Sequence, residues 1–305
     1  GSPTRSCIRS PHRRRPQPDR ATHGPGGGPA RPACHTRGMS DRVVVTVADG
    51  IADVRFNRPD KRNALDSEQF AAIAEAGERL KHERGVRAVV LSGEGASFCA
   101  GLDTSMFGAL SGSADGTGEA NVGRLTESGI THLGQQVAWV WQEVPVPVIA
   151  AGHGHALGGG LQIALGADIR FSTPDAKWSV REVHWGLVPD MTGTFMLSRL
   201  VRNDIARELT YTARLFSGAE AHAMGLVTHL ADDPYAAAHE LAREIAGRSP
   251  GAVRGSKALF NNLFTKDVAE QFALERRTIG VQIGTPNQIE AVMANIENRP
   301  PTFTD

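Results

Sequence analysis

The stretch His155-Ala156-Leu157-Gly158-Gly159-Gly160-Leu161-Gln162 decides how the chain is read. A short apolar run, Val148 to Ala151, leads into it, and a small-residue segment from about Leu161 to Gly166 leaves it. The pattern predicts a strand, a glycine turn and a helix start. Bare backbone N–H groups then gather where the helix dipole is positive, a place that stabilises a developing negative charge.

A second turn of this kind lies earlier. Ala88-Val89-Val90-Leu91 reads as a buried strand, followed by Gly93, Gly95 and then Ser97-Phe98-Cys99-Ala100-Gly101-Leu102-Asp103. One glycine turn alone serves a tight bend. Two such turns could place one N–H each around a single carbonyl oxygen, as an oxyanion hole. The glycine triplet lacks G-x-G-x-x-G spacing, and no Gly-Lys-Ser/Thr follows it. There is no G-x-S-x-G nucleophile elbow either.

Working outward, Val43 to Val47 and Ile51 to Phe56 predict a hairpin around Asp49-Gly50, a type I′ turn signal. A loop through Arg58, Arg62 and Ala64 ends at Asp66, which with Gln69 reads as a helix N-cap pair. That helix runs to about His82, with Phe70, Ile73, Gly77 and Leu80 on one face. A second helix is expected from about Arg124 to Glu143. Strands are expected at Asp168–Phe171 and Lys177–Val180, an irregular segment at Arg181–Asp190, and mostly helix from Gly193 to Asn298. Strands interleaved with helices, then a helical final third, fit an α/β core with a helical appendage. Residues 108–123 read as a mobile loop of Gly, Ser, Ala, Asp and Thr.

The chain has 305 residues, 40% hydrophobic and 22% charged, as soluble globular proteins have. Formal net charge is zero. Residues 1–38 hold eight Arg, no Lys and one acid, so this Pro/Gly-rich leader is basic and the body acidic. Such a leader cannot bury enough surface to fold. The acidic body argues against a nucleic-acid partner, and no apolar run approaches a membrane span. Only Cys99 of the three cysteines lies in the body, which fits a reducing, cytoplasmic setting; no Cys/His cluster has zinc spacing. The expected domains are the disordered leader 1–38, a core at 39–233 and a helical region at 234–305.

Four segments carry a resemblance: Asn57 to Leu65, Ser97 to Asp103, Ala156 to Gly160, and Gly218 to Val227. In this order and spacing they resemble the crotonase superfamily, the enoyl-CoA hydratases and isomerases. The resemblance implies an α/β fold with a spiral of ββα turns and a helical C-terminal trimerisation region, in a homotrimer or dimer of trimers. It implies an acyl-CoA thioester substrate, with coenzyme A as part of that substrate and no metal or redox cofactor. Carried over by motif, the oxyanion donors are the backbone N–H groups of Leu102 and Gly159. Arg62, Ala64, Ala100, Gly101, Asp103, Gly158 and Gln162 fall at the coenzyme A and substrate positions.

The acids choose the reaction. Hydratases of this family use two glutamates, and the matching positions here are Gln162 and Glu182. Gln162 cannot ionise, so it cannot be a base, although it could orient a water. Asp190, eight residues after Glu182, resembles the dienoyl-CoA isomerase branch, which has Asp where this chain has Gln162. Two carboxyl groups suit proton relocation along an acyl chain, with Trp185, Leu187, Val188 and Met191 as apolar walls. The sequence therefore points first to a double-bond isomerase using Glu182 and Asp190. A hydratase using Glu182 alone and a non-catalytic acyl-CoA-binding relative are the rivals.

Plainer roles are expected elsewhere. Asp190 could instead cap the helix near Thr192, and Asp66 and Asp103 read as caps. His153 and His155 read as packing or hydrogen-bonding neighbours, and His184 as a candidate lining of the acyl pocket. Cys99 reads as small and buried, and Trp139 and Trp141 as core or interface.

Overall fold

The computed structural model describes residues 41–106, 125–126, 129–248, 250–262, 268–280 and 283–301. The expected leader 1–38 and the loop 108–123 lie outside the described residues.

Strands β1 (Val43–Ala48) and β2 (Ile51–Phe56) pair antiparallel. Asp49 and Gly50 between them have φ of 52° and 80°, the two left-handed residues a type I′ turn requires. Helix α1 (Ser67–His82) follows, with the Asp66 side chain accepting from the Gln69 N–H, while the Gln69 side chain turns to Arg42 O instead of returning a bond to Asp66. It buries Phe70, Ile73, Gly77 and Leu80. β3 (Ala88–Gly93) then joins β2 in parallel.

The later chain alternates between two sheets. β4 (Val148–Gly152), β6 (Ile169–Ser172) and β9 (His229–Leu230) extend the first sheet in the order β1-β2-β3-β4-β6-β9. β5 (His155–Leu157), β7 (Lys177–Ser179) and β8 (Phe216–Ser217) form the second. So β4 and β5 lie in different sheets although two residues separate them, and β6 and β7 repeat the step. The short parallel bridges Cys99↔Ala156 and Leu65↔Leu102 bring the earlier turns alongside β5.

The helix expected from Arg124 begins later, as α2 (Leu133–Glu143). His132 and Gln135 form a capping box that fixes the start, and Gly129 with φ 75° bends the chain before it. Trp141 on α2 and Trp178 on β7 are fully buried, while Trp139 packs edge-on against Phe195 and Phe272. The glycine triplet opens α3 (Gly159–Gly166), every residue of which is buried. The segment read as irregular contains a 3-10 turn, Glu182–Trp185.

Helices dominate the rest: α4 (Gly193–Leu200), α5 (Asn203–Thr212), α6 (Gly218–Ala223), α7 (Pro234–Ala246), α8 (Pro250–Asn262), α9 (Val268–Gly280) and α10 (Pro286–Ile296). α7 covers the first sheet, setting Ala238 and Ala242 with Val90, Ile149 and Phe171. α8 is anchored by the buried Lys257, whose Nζ donates to Trp141 O, Val146 O and Asp168 Oδ2 at 2.9, 3.0 and 2.7 Å. Among the described residues no helix is long and apolar enough to cross a membrane.

Candidate active site

The two glycine turns touch. Gly101 has φ +88°, and a Cβ there would lie 2.6 Å from Leu157 O and 3.8 Å from Gly159 N. Any side chain would therefore push the turns apart. Leu65 N–H donates to Gly101 O and Asp103 N–H donates to Leu65 O, at 2.8 and 2.9 Å. The N–H of Leu102, lying between these two bonds, points away from Leu65. Gly159 is the first residue of α3 and follows a cap, Gly158, that offers no side chain. Neither N–H donates to a backbone carbonyl among the described residues.

The loop before α1 is tied to this turn. Arg62 is exposed and left-handed, with φ 51°, and its carbonyl accepts from Ala100 N–H. Ala64 is buried. Asn63, which the sequence reading passed over, is the clamp: its Nδ2 donates to Glu94 O and Ser97 O, and its Oδ1 accepts from Arg58 N–H. Its one signal is an Asn at a left-handed position, φ 57°. Asp103 accepts from Arg58 and from the Ser105 N–H and hydroxyl, the engagement of a cap. Burial pushes its pKa up, but these donors outweigh that and hold it below the usual range.

Glu182 opens the 3-10 turn and is buried. It lies beside the triplet, its Oε1 3.2 Å from where a Cβ on Gly158 would be. That Oε1 accepts from Gln162 Nε2 at 2.6 Å, while Oε2 is buried with no hydrogen-bond partner. Burial raises its pKa to about 7, against smaller lowering effects from Gln162 and the nearby backbone N–H groups of Glu182 and Arg181.

Gln162 departs from the role the sequence allowed it. Its Oε1 is occupied by the N–H groups of Met191 and Gly193, both at 2.9 Å, so that oxygen does not position a water. The side chain instead bridges Glu182 to the loop carrying Asp190. Asp190 is half-buried there. The N-cap of α4 is Thr192, at φ 69°, so Asp190 does not hold the capping position.

Around this centre, Leu187 and Val292 form an apolar cluster with Leu102, Trp185, Ile279 and Ile283. Met191 lies against Gly159 instead. His155 Nδ1 pairs with Ser97 Oγ at 2.9 Å, and burial, then Arg62 and Lys177, push its pKa down. His153 Nε2 meets Gly95 O at 3.0 Å. Cys99 is fully buried, its thiol pushed up to about 12 by burial, which makes it a packing residue and not a nucleophile. Among the described residues, no three His, Cys, Asp or Glu side chains are grouped to hold a metal.

Strands passing in turn between two sheets, with helices between them, form the ββα spiral of the crotonase fold. Residues 46–305 match the family model for enoyl-CoA hydratase/isomerase, and the chain belongs to that family. It is 36% identical over 261 residues to the Bos taurus mitochondrial enoyl-CoA hydratase domain-containing protein 2, covering 83% of this chain and 84% of the relative. It is 31% identical over 262 residues to the Mus musculus mitochondrial Delta(3,5)-Delta(2,4)-dienoyl-CoA isomerase, covering 84% and 79%. A crystal structure of an enoyl-CoA hydratase/isomerase from Pseudoalteromonas atlantica superposes with a TM-score of 0.75 at 28% identity, covering 86% of this chain and all of that one.

Proposed function

We propose that this protein shifts a double bond in an enoyl- or dienoyl-CoA by moving a proton with Glu182. The supporting observation is the Glu182 carboxyl itself: buried, raised to about 7, with Oε1 bonded to Gln162 beside Gly158 and Oε2 unpartnered. A general acid/base works best with its pKa near the working pH. Glu182 removes a proton from the acyl chain, and the electron pair passes to the thioester oxygen. The N–H groups of Leu102 and Gly159 hold that oxyanion, each such donor contributing about 2.7–4 kcal/mol to the transition state. A proton returns further along the chain, from Asp190 in a dienoyl substrate. Leu102, Trp185 and Leu187 bound the acyl group.

Isomerisation is preferred to hydration because the position of a second glutamate holds Gln162, whose carbonyl oxygen already serves two backbone donors. Incubation with a 3,5-dienoyl-CoA should produce the 2,4-conjugated absorbance. Asp190→Asn should slow that shift at least tenfold. Rapid hydration of a 2-enoyl-CoA, untouched by Asp190→Asn, would overturn the isomerase reading.

A further inference from the structure

Gln162 Oε1 accepts two backbone N–H groups, from Met191 and Gly193. A backbone N–H only donates, so a flipped amide would set its NH2 against two donors. The amide therefore has one orientation, and Nε2 must face Glu182 Oε1. An amide nitrogen also only donates, so Oε1 accepts in both protonation states of Glu182. Two donors on the amide oxygen polarise the group and strengthen the bond from its nitrogen.

We infer that Gln162 is a positioning residue that makes the two oxygens of Glu182 unequal, with Oε1 a permanent acceptor and Oε2 the atom that gains and loses the proton. The unpartnered Oε2 is the atom this leaves for the substrate. The inference rests on the acid/base role proposed for Glu182. Charged and titratable residues of the elements packed on the turn are Arg181 and His184 on its own segment, Asp190 on the following loop, Asp204, Arg207, Glu208 and Tyr211 on α5, and Glu290 on α10. The upward shift at Glu182 comes from burial, opposed by hydrogen bonds, with no charge among these contributing.

Gln162→Glu tests the assignment with little change of shape. The new carboxylate keeps the acceptor for Met191 and Gly193 but turns an oxygen, not an NH2, toward Glu182. The shared hydrogen bond then needs a proton on the side of Oε1, and two carboxyls this close cannot both ionise. Exchange of the α-protons of butanoyl-CoA in D2O, followed by NMR, reads the consequence. Wild type should show a base with a midpoint near 7, and Gln162→Glu should raise that midpoint by at least one pH unit. At pH 7 exchange should fall at least fivefold, in kcat with little change in KM. An unmoved midpoint overturns the inference.

A second reading needs no turnover. The infrared carbonyl band of protonated Glu182, identified by its loss in Glu182→Gln, should move to higher wavenumber in Gln162→Met, which removes the donor to Oε1. An unchanged band overturns the inference. Wild type exchanging no faster than Glu182→Gln would overturn the proposed function instead, and the infrared band would still support or overturn the orientation of the pair.

Discussion

Lys257 on α8 and Glu182 on the 3-10 turn are both ionisable groups withdrawn from water, and their hydrogen bonding ends differently. An ammonium has three donors. Lys257 places them on Trp141 O, Val146 O and Asp168 Oδ2, and Asp168 also takes the Val148 N–H at 2.8 Å. Burial pulls its pKa down, while Asp168 pulls it back up. Glu182 has one oxygen bonded and the other bare. A buried polar atom without a partner costs roughly 1–3 kcal/mol. Complete bonding gives the ammonium three acceptors and holds α8 in place. Incomplete bonding leaves a proton that can be exchanged near neutral pH.

The sharpest attempt to break this contrast is Glu182→Gln. It should lower α-proton exchange by about 10²–10⁴, the usual contribution of a positioned acid/base, and leave the melting temperature unchanged or higher. Lys257→Met comes next. It removes the cation from Asp168, which keeps only the Val148 N–H, and leaves two carbonyls without their donor, so urea unfolding should show a loss of about 3–5 kcal/mol. Exchange per folded molecule should stay within twofold of wild type. A Lys257 variant as inactive as Glu182→Gln, yet folded, would erase the distinction.

The smallest effect is in pH. The folded pKa of Glu182 is raised from 4.5 to about 7, so the folded state binds the proton more tightly than the unfolded chain. This contribution is complete below about pH 4.5 and is lost as pH rises toward 7, by about 3 kcal/mol in total. Urea unfolding at pH 5 and pH 8 should show it in wild type, and Glu182→Gln should remove that part of the difference.

Much of the frame could be read from local chemistry. Asp49-Gly50 has few ways to turn, and the Asp66 cap needs only Gln69, three residues away. The buried acid at 182 was reachable because its motif positions match a family. What Gln162 does was not readable, because its oxygen is occupied by Met191 and Gly193, some thirty residues on, through a fold that local sequence does not specify. The late start of α2 was missed for a different reason: histidine is an uncommon cap, and His132 gave no signal until its Nδ1 was seen accepting from Gln135 N–H. Lys257 carries no local signal, since its partners lie 116, 111 and 89 residues away in sequence.

The turn carrying Glu182 leans on α10. Asn295 Nδ2 donates to His184 O at 2.9 Å across 111 residues of sequence. Gly186, at φ +70°, lets the helix come so close that a Cβ would lie 2.8 Å from Gln288 Cα. Translation therefore delivers the Glu182 turn long before the helix that braces it. A nascent chain can close both sheets while this brace is still unmade. The turn is complete in the chain about a hundred residues before Asn295, its partner on α10, is made.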